Sequence, residues 1–171
     1  GEYLLFLNND VEIITEGWIE EMLGYCQRED VGIVGAKLFY PDDTVQHAGV
    51  IIGLGGVAGH IFCGAGREEY GYCAKLVSAQ DYSAVTAACM MTKKALFQKV
   101  KGFDEKFQVA FNDIDYCMKV RKEEKLVVFT PYAQLYHYES KSRGKEETAA
   151  QMERFAGEVH RFEKKWLEIL K

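Results

Sequence analysis

An α/β domain with a covered central sheet is the fold class this sequence predicts, and three observations predict it. The apolar run Tyr3-Leu4-Leu5-Phe6-Leu7 stops at Asn8-Asn9-Asp10. Such a run reads as a buried parallel strand that delivers a carboxylate to the carboxyl edge of its sheet, where open α/β sheets bind ligands. Short apolar runs then alternate with stretches of helical period. The chain closes on a long amphipathic helix whose residues Met152, Phe155, Val159, Phe162, Trp166 and Ile169 step by three and four. With 171 residues, 48% hydrophobic and 13% aromatic, the chain has enough apolar mass to close one core and too much for a disordered segment.

After the first strand, Thr15 is placed to cap a helix carrying Trp18, Ile19, Met22, Leu23 and Cys26. Residues 31–40 read as a strand broken by Gly32 and Gly35. Pro41-Asp42-Asp43-Thr44 turns the chain, and residues 45–52 return as an antiparallel partner. A glycine-rich stretch over 53–71 has little period of either kind. Its Gly53-Leu54-Gly55-Gly56-Val57-Ala58 fits the dinucleotide fingerprint in letters only, because Gly59 and Gly64 fall where the helix would have to run. Residues 82–92 read as a buried strand of small side chains, followed by a short helix over 93–100. A turn at Gly102-Phe103-Asp104-Glu105 leads to a helix from Asn112 to about 123, a strand over 126–130 and an extended segment over 132–138. A basic loop with Lys141, Arg143 and Lys145 precedes the closing helix.

A net charge of −5 disfavours a nucleic-acid partner, and no apolar stretch is long enough to cross a bilayer. The five cysteines (Cys26, Cys63, Cys73, Cys89 and Cys117) form no C-x-x-C pair. They read as buried thiols in a reducing cytosol rather than disulfides or zinc ligands. Because the chain opens almost directly in a core strand, it is expected to be the back part of a larger domain, whose front would carry the first βαβ units.

Strand alternation puts Asn8 and Asp10 on one face, so two oxygen-bearing side chains can approach one cation. On these residues alone an ordinary polar turn is the better account. The balance changes with a second acidic cluster, Asn112-Asp113-Ile114-Asp115. Asn112 is a good helix N-cap, and acids in a first turn suit the macrodipole, which accounts for at least one aspartate without any function. Neighbouring helical positions differ by about 100°. Asp113 and Asp115 therefore point to separate sides of Ile114, and only one of them can face a given pocket.

These strings, with Gln46-His47-Ala48-Gly49, Gly59-His60, Thr86-Ala87-Ala88-Cys89, Gly102-Phe103-Asp104-Glu105, His137 and Phe162…Lys165-Trp166, carry a resemblance along nearly the whole chain. The chain resembles the latter part of a family 2 glycosyltransferase, closest to the rhamnosyltransferase-like members. The resemblance implies a GT-A fold, a Rossmann-like mixed sheet that binds a nucleotide-diphosphate sugar. In that family a strand-end D-x-D motif binds a divalent cation, Mn2+ or Mg2+, across the two phosphates. Here the motif stands as Asn8-Asn9-Asp10, which makes Asp10 the metal and cofactor-binding acid and Asn8 a secondary contact. Losing one carboxylate weakens intrinsic binding of a hard cation.

The family's general base is an acid of a later E-D-x-D-like motif. Asn112 replaces the Glu, and Asp113 takes the base position. Its task would be to remove a proton from an acceptor hydroxyl as that oxygen attacks the anomeric carbon, in one inverting displacement. His137 falls where a histidine can complete the metal site, the alternative being a structural histidine between Tyr136 and Tyr138. Lys141, Arg143 and Lys145 either reach phosphates or form a solvated loop. His47 reads as structural, and His60 as a contact for an acceptor sugar.

The resemblance thus implies transfer of a sugar from a nucleotide-diphosphate sugar to a glycan or lipid-linked acceptor in bacterial polysaccharide synthesis. One partial domain would span 1–171, with the metal and acceptor part in 1–145 and the C-terminal helix in 146–171. A cytoplasmic location is expected, with peripheral contact at the inner membrane surface and a homodimer through exposed strand edges as further expectations. In the closing helix Glu153, Glu158, Glu163 and Glu168 offset the basic residues, which favours packing over attachment to anionic lipid. Asparagine in both acidic motifs keeps open a non-catalytic carbohydrate-binding or scaffolding domain of the same fold. The abrupt start keeps open an inactive fragment lacking the nucleotide-binding half. A nucleotidyltransferase of related fold has less support, since no glycine-rich triphosphate loop is found.

Overall fold

The structure, a computed structural model, describes residues 1–138 and 148–170. In chain order its strands are β1 (Tyr3–Leu7), β2 (Val11–Ile13), β3 (Val31–Phe39), β4 (Val45–His47), β5 (Val50–Ile52), β6 (Ala58–His60), β7 (Gln80–Asp81), β8 (Cys89–Lys93) and β9 (Leu126–His137). Its helices are α1 (Trp18–Cys26), α2 (Lys94–Lys99), α3 (Asn112–Lys122) and α4 (Ala149–Leu170). The main sheet runs β1-β8-β3-β9-β2, with β4 also on β3 and β7 also on β9, while β5 and β6 pair separately. β3 and β9 are parallel and their other pairings antiparallel, so the sheet is mixed.

β3 is buried along its whole length because both faces are covered. Ile33 packs in the core that holds Tyr116, Cys117 and Val120 of α3. Val34, Ala36 and Leu38 pack in the core that holds Trp18, Met22 and Cys26 of α1. This is the layered α/β architecture expected. Gly35 does not break the strand. A Cβ there would lie 2.5 Å from the Cβ of Val85, so glycine lets the 85 segment press onto the sheet.

Several elements depart from expectation. β1 is not a buried parallel strand: it runs antiparallel to β8 at the end of the sheet order, with Leu5 36% and Leu7 42% exposed. Five apolar residues specify a strand but not the direction of its neighbour. Residues 45–52 split at Gly49, whose φ is 111° and whose Cβ would meet the Tyr82 ring at 2.3 Å. β4 then pairs with β3 as expected, whereas β5 pairs with β6. Of the strand expected over 82–92, only β8 forms. Asn112 is not the cap of α3; Phe111 is, at φ 65°, and Asn112 opens the helix. Cys26, Cys89 and Cys117 are buried, and burial pushes the Cys26 thiol up to about 11 and the Cys89 thiol to about 12, but Cys63 and Cys73 are exposed.

Thr15 does not cap α1, where Gly17 holds the cap position. Its hydroxyl donates to the Tyr132 carbonyl at 3.0 Å and accepts from the Gln134 N–H at 2.9 Å. Those bonds brace a bulge in β9, where the register on β3 jumps from Ala36↔Thr130 to Lys37↔Gln134. Pro131 has no N–H for the ladder and sits within that bulge. Beyond it the strand resumes as one element, pairs with β2, and carries His137 opposite Val11.

α4 packs, as its charge balance implied. Phe162 and Trp166 are buried with Phe107, Phe111 and Met118. Met152 and Ile169, both counted in the stripe, are instead 57% and 49% exposed. Glu158, read as part of the solvent-side charge balance, is buried. Among the described residues no helix is long and apolar enough to cross a membrane.

Candidate active site

Asn9 and Asp10 form a turn between β1 and β2, so the backbone here is the polar turn that the residue types allow. The side chains do more. His137 Nε2 lies 3.0 Å from Asn8 Nδ2 and 3.3 Å from Asp10 Oδ1, and the Tyr138 N–H donates to the Asp10 carbonyl at 2.8 Å. Three of the predicted site residues, Asn8, Asp10 and His137, therefore meet across 129 residues of chain.

The other ring nitrogen, Nδ1, is 2.7 Å from Gln46 Oε1. A carboxamide oxygen only accepts, so Nδ1 carries the proton and Nε2 presents a lone pair. Among the described residues Asp10 Oδ1 is buried with no hydrogen-bond donor. The Nε2 lone pair accepts from Asn8 Nδ2–H and also faces the Asp10 oxygen with no proton between the two, a place suited to a cation that displaces the Asn8 N–H. Among the described residues no three His, Cys, Asp or Glu side chains form a metal-binding group. Here the third member is an asparagine. One carboxylate and one imidazole, with an amide that ligates through Oδ1 only once its side chain turns over, fit a divalent ion that brings phosphate and water ligands of its own.

Asp113 stands apart from these three residues, linked through backbone. Its Oδ2 accepts from the Ala87 N–H at 3.1 Å, and its Oδ1 from the Ile114 N–H at 2.8 Å. The adjoining Ala88 carbonyl accepts from the Asn8 N–H at 3.0 Å, and the Thr86 N–H donates to His47 Nε2 at 3.4 Å. The segment 86–88 thus joins the end of β1, the start of α3 and β4. It forms no strand because its backbone groups serve these three neighbours. Asp115 points elsewhere, as helical spacing required. It is fully buried, paired with Lys119 at 3.2 Å and Lys165 at 2.7 Å, and accepts from Trp166 Nε1–H at 2.9 Å.

A cavity of about 210 Å³ lies beside the cluster, lined by Tyr40, Gln46, His47, His60, Thr86 and His137 among others. His47 is structural, as read. Its Nε2 accepts from Thr86, so Nδ1–H donates to His60 Nδ1 at 3.0 Å. Burial first, then His60 and His137, hold this imidazole well below its usual range. A larger hollow of about 550 Å³, lined by Gly1, Tyr3, Lys93 and Gln98, touches none of the predicted site residues.

Sequence reasoning missed three features. Gln46 and the 86–88 segment lay inside strings that carried the resemblance, but nothing in them announced their partners. Glu158 gave no signal at all, yet its carboxylate accepts from the N–H groups of Gln108, Val109 and Ala110 at 2.9, 3.3 and 2.8 Å. It fixes the loop that leads into α3. Lys141, Arg143 and Lys145 lie outside the described residues.

No protein-family model matches the chain. It is 50% identical over 167 residues to the uncharacterized protein y4gI of Sinorhizobium fredii, covering 97% of this chain and 18% of that protein. It is 40% identical over 147 residues to the O-antigen biosynthesis protein RfbC of Myxococcus xanthus, covering 84% of this chain and 11% of that one. Over 62 residues it is 27% identical to an N-acetylglucosaminyl-diphospho-decaprenol L-rhamnosyltransferase of Mycobacterium tuberculosis, covering 36% of this chain and 20% of the enzyme. The chain thus spans a fifth or less of each of these curated relatives.

Proposed function

Taking the chain as glycosyltransferase-like and rhamnosyltransferase-related, we propose that it carries the metal and acceptor side of a sugar-transferring enzyme. The donor would be a nucleotide-diphosphate sugar, and the acceptor a glycan or lipid-linked sugar of a surface polysaccharide. The observation that carries this reading is the convergence of Asn8, Asp10 and His137, with a buried Asp10 oxygen that meets no donor. Asp10 and His137 would hold a divalent cation, with Asn8 as a secondary contact. When bound, that ion would supply positive charge for the departing diphosphate.

The chain's own residues do the rest. Asp113 takes the proton of the attacking acceptor hydroxyl, and each of its oxygens keeps a second lone pair after accepting one main-chain N–H. The tie to the Ala87 N–H anchors that carboxylate to the residue that follows Thr86, which lines the cavity. Attack on the face opposite the leaving group inverts the anomeric centre. The cavity, with neutral His47 and with Tyr40, Gln46 and Thr86, suits a hydroxyl-rich ligand. A lipid-linked acceptor would be met at the cytoplasmic membrane surface.

A second reading has its own observation. Both Asp113 oxygens are engaged by main chain, which is reason enough for an aspartate there, and asparagine stands at positions 8 and 112. On that reading the domain binds carbohydrate without transferring it. Thermal unfolding with nucleoside diphosphates, with and without Mn2+, tests the donor site. A ligand at about a hundred times its dissociation constant adds roughly 2.7 kcal/mol, or several degrees. The expected shift depends on Mn2+ and vanishes in Asp10→Ala; no Mn2+-dependent shift overturns a donor site at Asp10. Asp113→Asn separates the readings: transfer lost with nucleotide binding kept supports the base, and an unchanged rate removes it.

A further inference from the structure

We infer that Gln46 is the positioning residue of the Asp10–His137 site: its side-chain amide fixes the tautomer and orientation of His137, so that Nε2 is offered to a divalent cation. The inference rests on the cation reading proposed above and adds a residue to it.

Gln46 is 5% exposed on β4 and reaches His137 at the end of β9, 91 residues away. It touches His137 twice. Its Nε2–H donates to the His137 carbonyl at 3.3 Å, and its Oε1 faces Nδ1 at 2.7 Å. The first bond orients the amide, because the NH2 group must point at the main-chain oxygen, which leaves the carbonyl oxygen toward the ring. With Oε1 there, only an Nδ1–H tautomer makes a bond. The opposite tautomer would set two lone pairs against each other in a buried place. The proton is thereby held on the side away from Asp10, and the Nε2 lone pair is left to accept from Asn8 Nδ2–H at 3.0 Å and to face Asp10 Oδ1 at 3.3 Å, where a cation would take the place of the Asn8 N–H.

His47, the residue after Gln46 on β4, is a contrast to His137 on β9. His47 has both nitrogens engaged by the chain, Nε2 by the Thr86 N–H and Nδ1 by His60. His137 has one nitrogen locked by Gln46, while the other accepts from the Asn8 side-chain N–H at 3.0 Å and also faces Asp10 Oδ1, which among the described residues meets no donor. Partners that lock the remote nitrogen of a ligating histidine typically change metal affinity 10–100-fold when removed. Placing that partner on β4, which is paired with β3, gives it a rigid support.

The test uses the 171-residue chain and three variants, Gln46→Leu, Gln46→Glu and Asp10→Ala. Metal-free long-range 1H–15N spectra of the imidazoles at mildly alkaline pH read the tautomer directly. The expected result is one Nδ1–H form of His137 in the wild type and in Gln46→Glu, which keeps an acceptor, and a mixture in Gln46→Leu. Titration with Mn2+ alone, followed by its paramagnetic signal, is expected to show affinity falling roughly 10–100-fold in Gln46→Leu. It should stay within a few-fold in Gln46→Glu and be lost in Asp10→Ala. Should Gln46→Leu fail to fold, Gln46→Ser gives the same readings. Wild-type affinity with an unchanged tautomer in the Leu or Ser variant overturns the role of Gln46 alone. Absence of Mn2+ binding by the wild-type chain overturns the cation reading, and with it the purpose assigned to Gln46.

Discussion

Asp10 and Asp115 both bury carboxylate oxygen, yet the two regions around them treat it in opposite ways. At the seam between α3 and α4, Asp115 Oδ1 meets Lys165 and an indole N–H, its Oδ2 has the Lys119 ammonium at 3.2 Å as an ion pair without a hydrogen bond, and Glu158 nearby collects three main-chain N–H groups. Past the end of β1, Asp10 Oδ1 faces a lone pair of His137 and, among the described residues, no donor. Buried polar groups in folded proteins are nearly always matched, so a matched acid is explained by the fold. An unmatched one calls for something the fold does not supply. By this criterion two acids that look alike in sequence fall into different classes.

The largest expected effect would break the comparison if it failed. Asp115→Ala leaves Lys165 and Trp166 Nε1–H facing a void, and loss of one partner from a buried ion pair costs about 3–5 kcal/mol. Asp10→Ala removes an oxygen that holds nothing, so urea unfolding should place it within about 1 kcal/mol of wild type or slightly above. Equal losses in the two variants would erase the distinction.

Glu158→Ala comes next, at about 2–3 kcal/mol, because hydrogen bonds to a charged acceptor are worth roughly 1.5–3 kcal/mol and the freed 108–110 amides are only partly shielded from water. Glu158→Gln should lose less, since one oxygen remains to accept from two of the three donors. The same denaturation series checks both, and a Gln variant as weak as Ala would mean that the charge outweighs the geometry.

This comparison also marks how far the sequence could be read. Periodicity alone locates β1, α1, α3 and α4, and helical spacing alone separates Asp113 from Asp115. Asp10 and His137 could be singled out by motif, but not brought together, because their approach depends on the bulge around Pro131 and the Thr15 hydroxyl that braces it. Strand direction was misread at β1 because an apolar run encodes burial, not polarity of pairing. Gln46 and Glu158 were invisible for a simpler reason. Each acts on backbone or on one distant atom, and a long-range polar contact leaves no local pattern.

His47 sharpens the contrast through pH. Its folded value is depressed by burial, then by His60 and His137, below the ordinary 6.5. Below about pH 6.5 the unfolded chain therefore binds a proton that the folded chain refuses, and stability falls as pH drops until the folded value is reached. One such group contributes at most about 1.4 kcal/mol per pH unit. His47→Gln should flatten the slope of unfolding free energy between pH 7 and 5. A slope unchanged by the substitution would show that other groups set it.

The smallest effect belongs to the outer part of the α3–α4 seam, where Lys165 bridges Asp104 and Asp115. The Lys165 hydrogen bond is the first of the causes that bring Asp104 below its ordinary 3.8, so that stability is present above 3.8 and lost as pH falls through the folded value. Burial alone would lower Lys165, but its bonds to Asp104 and Asp115 outweigh burial and raise it above 10.5. That contribution is present below 10.5 and lost as pH rises through the folded value. The seam should therefore add a constant amount between about pH 4 and 10.5 and fade at both ends. Because the Lys165 and Asp104 side chains are 32% and 23% exposed, solvent and salt screen the pair, and the change should be modest. Urea midpoints at the acid limit, neutrality and the alkaline limit should converge between wild type and Lys165→Met at the two extremes and differ most at neutral pH. A gap that stays constant across the range would show that the ion pairs of Lys165 with Asp104 and Asp115 do not set its contribution.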